Sequence, residues 1–130
     1  MNEIRIPISP GELLDKITIL QIKAERIADP AKVANVTTEL NMLEQVWRET
    51  VTDDAEIRAL SAELKSINEA LWEIEDDIRD EERNRRFGER FIELARAVYV
   101  TNDERANAKK KVNLHLNSSI VEEKSYQDYR

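Results

Sequence analysis

Residues 57–78, IRALSAELKSINEALWEIEDDI, decide the fold. Within them Ile57, Leu60, Leu64, Ile67, Leu71, Ile74 and Ile78 recur at alternating spacings of three and four, an unbroken series of a and d positions. An apolar stripe of that period stays on one side of an α-helix but would change faces along a β-strand. The segment is therefore expected as one long helix packed along a coiled-coil-like seam. Continued to about Asn84 it would be roughly 45 Å long at ~1.5 Å per residue. A compact sphere of this chain length has a radius of gyration of only ~14 Å. The expected shape is elongated.

The flanking sequence repeats the same logic. Ser9-Pro10-Gly11-Glu12 reads as a helix start, with Ser9 as cap, Pro10 at the first helical position and Glu12 placed to return a bond to the cap N–H. Leu13, Ile17, Leu20, Ala24 and Ile27 then carry helix 1 to about Ala28. Asp29-Pro30 opens helix 2, whose seam is Val33, Val36, Leu40, Leu43 and Trp47. Thr52-Asp53-Asp54 caps helix 3, and Asn84 to Gly88 breaks it. Helix 4 begins near Glu89 with Phe91, Leu94, Ala95 and Val98 on its apolar face. Thr101-Asn102-Asp103-Glu104 reads either as a second capping box, and so a kink, or as polar residues within a continuing helix. Val112 and Leu116 resume the apolar face, and the pattern dissolves after Asn117. Residues 3–8 alternate polar and apolar like a short extended segment, and the tail either frays at Lys124–Tyr126 or pairs Ile120 and Val121 with Ile4 and Ile6. The expectation is one all-α domain over residues 1–130. It is an elongated bundle of about four long amphipathic helices, with an extended segment at 1–8 and a tail at 118–130.

Composition supports helices and narrows the chemistry. Hydrophobic residues make up 41% and charged residues 36%, while two glycines and three prolines leave few tight turns. The absence of cysteine removes disulfides, thiolate metal sites and cysteine nucleophiles, and one histidine, His115, removes any site needing two imidazoles in one chain. A net charge of −7 opposes non-specific binding to nucleic acid. The two basic clusters, Arg83, Arg85, Arg86 and Arg90, then Lys109, Lys110 and Lys111, each follow acidic residues, and neither is interleaved with several aromatics. No secretory signal and no run of ~20 apolar residues is visible, so no membrane insertion and a cytoplasmic location are expected.

The segments SPGELLDKITIL (9–20), NEALWEIED (68–76), FIELARAVYVTND (91–103) and IVEEKSY (120–126) resemble those of an uncharacterised family of small bacterial helical proteins, a domain of unknown function. The resemblance covers nearly the whole chain. It implies a bacterial-type protein, with relatives often encoded near glycosyltransferases and surface-polysaccharide genes. It implies no catalytic residues.

Candidate sites follow from the helical register. Glu69, Glu73, Asp76 and Asp80, spaced four, three and four, form one acidic stripe of the kind that holds Mg²⁺ in helical phosphohydrolases, and Glu12 and Asp15 offer a second pair. With Leu71 at a and Ile74 at d, however, the stripe falls on c and f positions, away from the core. It reads first as a solvated face, and as a metal site only if a partner covers it. Glu75, Glu81 and Glu82 precede Arg79, Arg85 and Arg86 by four residues, a spacing worth ~0.3–0.5 kcal/mol per pair. On helix 4, Thr101, Asn102, Arg105 and Lys109 stand where the Phe91–Val98 pattern would place core residues. Asn68 and Glu75, at flanking e positions of helix 3, are placed to face them. Two readings stay open: a buried polar network that sets helix register, or a ligand site in which Arg105 and Lys109 bind an anion and Asn102 orients a hydroxyl or amide.

Helix 1 adds Leu14, Ile19 and Ile22 to its main seam and is apolar nearly all round. Such a helix is central in its bundle or lies in an oligomer interface, and a homodimer is the economical expectation. Trp47 and Trp72 read as core or seam-edge aromatics, and His115 as structural or exposed. With long seams and no catalytic constellation, the leading expectation is a non-enzymatic binding or adaptor protein without cofactor, engaging a protein partner or an anionic small molecule. The alternative is a small enzyme or binding protein for a phosphorylated or anionic substrate, with Glu69, Glu73 and Asp76 holding Mg²⁺.

Overall fold

The computed structural model describes residues 2–129 and contains four α-helices: α1 (Pro10–Arg26), α2 (Pro30–Thr50), α3 (Ala55–Arg83) and α4 (Glu89–His115). The bundle is all-helical and elongated, as its heptad spacing predicts. At ~1.5 Å per residue the 29 residues of α3 span about 43 Å. Residues 2–9 and 118–129 carry no regular structure. Ile4 and Ile6 are exposed, as are Ile120 and Val121, and no strand forms among the described residues. The expected pairing of the two ends is not made.

Helix starts follow their caps. The Ser9 hydroxyl accepts from the Glu12 N–H at 3.1 Å, Asp29 from Ala31 at 3.0 Å and Asp54 from Ile57 at 2.7 Å. Glu12 does not return a bond to Ser9. Its carboxylate reaches Lys109 at 2.6 Å and Lys16 at 3.7 Å, because a buried ammonium across the helix interface is the stronger partner. Asp54 also meets His115 Nε2 at 2.9 Å, so the imidazole ties the end of α4 to the start of α3. The Ile57 N–H, followed by His115, holds the Asp54 carboxyl below the usual aspartate value.

Two helix ends turn without glycine. After α3 the Arg86 N–H bonds the Glu81 carbonyl and the Arg85 N–H the Glu82 carbonyl, with Arg85 in the left-handed region at φ 54°. After α4 the same double bond runs from Ser118 to Asn113 and from Asn117 to Leu114, with Asn117 at φ 54°. Both are Schellman motifs, with arginine and asparagine where glycine is usual. Gly88, expected to help break α3, instead sits at the N-cap of α4 with a negative φ. Helix α4 runs unbroken through Thr101–Glu104, so no second helix start forms there.

The core lies where α1 crosses the α3–α4 hairpin. Leu14, Ile57, Leu60, Leu64, Ala108 and Val112 form one buried cluster, with Trp47, Ile67 and Leu116 packed against it. Helix α1 is central, touching all three other helices. That position accounts for its all-round apolar surface: Leu13, Leu14, Ile17, Leu20 and Ile22 are all buried. On α3 full burial stops at Asn68, and Leu71, Ile74 and Ile78 are half-buried because only part of the hairpin is covered by α1. Among the described residues, the main chain of α2 comes close to α1 and to neither α3 nor α4. Consequently none of its 21 residues is fully buried.

Candidate functional site

Asp15 is the centre of the polar chemistry. It lies on α1 among buried leucines and isoleucines, and only 1% of its surface is exposed. Arg105 of α4 reaches it with a two-pronged grip, Nε to Oδ1 at 2.9 Å and Nη2 to Oδ2. Asn68 of α3 donates to the same Oδ1 at 2.9 Å and to Thr18 Oγ1 at 3.0 Å, while Thr18 donates to the Asp15 carbonyl at 2.9 Å. Lys109 Nζ stands 4.0 Å from Asp15 and bonds Glu12 at 2.6 Å and Glu122 of the tail at 3.0 Å. Three helices and the tail thus meet on one set of side chains.

The electrostatics are mutually consistent. Burial pushes the Asp15 carboxyl up, but the bonds from Arg105 and Asn68, with the charges of Arg105 and Lys109, outweigh it and hold the group below the usual aspartate range. Burial would lower Lys109, yet its bonds to Glu12 and Glu122 and the Asp15 charge raise it instead. The bond to Asp15 likewise raises Arg105 against its own burial. Among the described residues no buried side-chain nitrogen or oxygen lacks a partner.

The sequence-derived candidates do not all come together. Asn68, Arg105 and Lys109 come together in this network. Thr101 and Asn102 are half-buried on α4, with Asn102 turned to a groove under the tail. Glu75 does not face them; it pairs with Arg79 on its own helix. Of the acidic stripe, Glu69 and Glu73 lie near Arg26 of α1, at 3.7 and 3.5 Å, while Asp76 is exposed. Among the described residues no three carboxylate or imidazole side chains gather at metal-ligand spacing. The basic clusters are interleaved with acids: Arg83 with Asp80, Arg86 with Glu81, Arg90 with Asp77, Lys110 with Glu123 and Lys111 with Glu63.

Thr18 was not singled out by register, and Asp15 only as a possible metal ligand beside Glu12, whereas it is paired with Arg105 and Asn68. A usable signal was present, since a carboxylate inside a helix that is apolar all round must be buried and must find a cation. Asn113 was also missed. It is 3% exposed and its side-chain carbonyl accepts from the Gly11 N–H at 2.7 Å, filling one of the open donors at the start of α1.

The family described as "Family of unknown function (DUF6165)" matches residues 4–129. The chain belongs to that family. Neither the curated proteins nor the solved structures contain a match to it. The DUF6165 span takes in all four helices, the Asp15 network and the tail as far as Tyr129. No helix among the described residues is long and apolar enough to cross a membrane.

Proposed function

We propose that this chain is a non-enzymatic helical-bundle binding protein, an adaptor, that works as a homodimer. The pairing of Arg105 and Lys109 carries this reading. These cations would suit an anionic substrate, but they are spent on Asp15, Glu12 and Glu122 within the chain. A network that joins α1, α3 and α4 in this way fixes how the helices sit, which serves a scaffold presenting surfaces to partners. The resemblance of its segments extends the reading to a cytoplasmic protein serving bacterial surface-polysaccharide synthesis. A panel of nucleotides and sugar phosphates, each with Mg²⁺ or Mn²⁺, tests it by thermal shift. A ligand at a hundred times its dissociation constant stabilises by ~2.7 kcal/mol, a readily measured shift. The expected result is an unchanged midpoint across the panel. Sustained turnover that disappears in Arg105→Ala would overturn the reading.

The dimer is supported by α2. Its seam of Val33, Val36, Leu40, Leu43 and Trp47 is only half-buried against α1, and Met42 and Val46, one turn apart, are 49% and 44% exposed. A second copy applied across a two-fold axis covers the same face on both chains at once. Light scattering is expected to give a dimer mass for the native chain and a monomer mass for Met42→Glu with Val46→Glu. Circular dichroism should show equal helix content in both. A native monomer at tens of micromolar would remove the dimer.

A further inference from the structure

The tail lies along α4 in register. Tyr99, Asp103, Ala106, Lys110 and Asn113 are spaced four, three, four and three, so they share one face of the helix, and all line the groove beneath the tail. Against this face residues 122–129 run back in the opposite direction. Glu122 meets Lys109 at 3.0 Å and Glu123 meets Lys110 at 3.8 Å. Further along, Lys124 bonds Asp103 at 2.9 Å and the Tyr129 hydroxyl donates to Asp103 at 2.7 Å. The Tyr129 ring rests 4.8 Å from that of Tyr99. Two negative charges followed by a positive one thus lie on two positive charges followed by a negative one.

These contacts fasten the tail without filling the groove. A cavity of about 1150 Å³ remains between tail and helix. Every tail residue from Ser119 to Tyr129 is exposed, and the bonds of Glu122, Lys124 and Tyr129 to Lys109 and Asp103 are between side chains. Charge balance permits release. Asp15 and Glu12 already match Arg105 and Lys109 two for two, and Glu122 is a third carboxylate on that pair. When the tail leaves, Arg105 and Lys109 stay compensated by Asp15 and Glu12, while Lys110 and Asp103 lose their tail partners.

We propose that the α4 face is a docking groove for an acidic extended peptide of a partner protein, and that the C-terminal tail is its built-in competitor. The ligand class is read from the tail itself: adjacent carboxylates, then a cation, then a tyrosine. The proposal rests on the binding-protein reading above, and its test is separate, since turnover in the substrate panel would remove that reading without bearing on the peptide. The probe is a fluorescent peptide with the sequence of residues 119–129, titrated by anisotropy into the full chain. It is titrated equally into the full chain carrying Glu122→Gln, Glu123→Gln and Lys124→Ala. If the tail occupies the groove for about 90% of the time, unlatching it tightens peptide binding about tenfold. Adding Lys110→Ala and Asp103→Asn to the unlatched chain should abolish binding, and thermal melts by circular dichroism should confirm that each variant is folded. Absence of peptide binding to a folded unlatched chain overturns the proposal, as does binding that survives loss of Lys110 and Asp103. A dimer that dissociates on unlatching also overturns it, because the groove would then serve the tail of a second copy.

Discussion

Replacing Arg105 by alanine is expected to destabilise the chain by about 3 kcal/mol at neutral pH, within the range for removing one partner of a buried ion pair. The cost arises at Asp15, whose side chain is 1% exposed and would lose both prongs of its guanidinium partner. Asn68 stays bonded to it and Lys109 stays 4.0 Å away, which keeps the loss below the upper limit for an orphaned buried charge. The pH dependence identifies the cause. In the native chain the folded Asp15 titrates below its unfolded value. Its contribution is therefore fully present above the ordinary carboxylate range and is lost as pH falls through the depressed folded value. Without Arg105 the carboxyl loses its main lowering partner while its burial persists, so it should titrate higher than in the native chain. Protonation then costs the variant less than it costs the native chain. Urea midpoints compared at neutral and at acidic pH should therefore converge as pH falls, at fixed protein concentration. An equal gap at both pH values would mean that Arg105 acts through packing of its stem.

Gly11→Ala is expected to cost about 2–3 kcal/mol, the upper part of the range for forcing extra volume into a packed interior. A Cβ built on Gly11 would stand 2.4 Å from the Lys109 carbonyl oxygen and 2.9 Å from Asn113 Oδ1. The first of these is α4 main chain, so relief requires moving one helix away from the other. The same movement would stretch the 2.7 Å bond from the Gly11 N–H to Asn113 and disturb the Lys109–Glu12 pair. Against this stands a helix-propensity gain of at most ~1 kcal/mol, too small to change the sign. Gly88→Ser is the matched control. A Cβ there meets nothing within 4 Å, and serine is at least as good an N-cap as glycine. Chemical denaturation should show a large loss for the first variant and none for the second. Equal effects would sink the close-approach explanation.

Much of the architecture was legible because it depends on local chain periodicity. The three–four spacing from Ile57 to Ile78 sets a helix wherever it occurs, and the pairs Ser9-Pro10 and Asp29-Pro30 start helices by hydrogen bonds within one turn. The all-round apolar surface of α1 left two readings, a central helix or an oligomer interface, and the structure places α1 at the centre of its own bundle. The failures lie where a residue's partner is distant in the chain. Glu12 left its capping box for Lys109, 97 residues away, and Asp15 found Arg105 at a separation of 90. Ile120 and Val121 were candidates to pair with Ile4 and Ile6, yet the segment follows the charges of Glu122, Glu123 and Lys124 onto α4.

The long amphipathic helices and their caps were thus determined by the sequence on its own, since each follows from spacing within a single helix, whereas the acidic stripe of α3 turned out to lie partly against Arg26 of α1. Tertiary structure decided the rest. The polar break in α4 became one group with Asp15 and Thr18 of α1, because a buried carboxylate must be met by the cation that packing brings nearest. Gly11 became a point of close helix contact, although its local sequence marks it only as part of a helix start. The heptad stripe from Tyr99 to Asn113 acquired a partner in the tail, whose charges match it in register. Such pairings depend on how helices cross, and no spacing along one helix encodes that crossing.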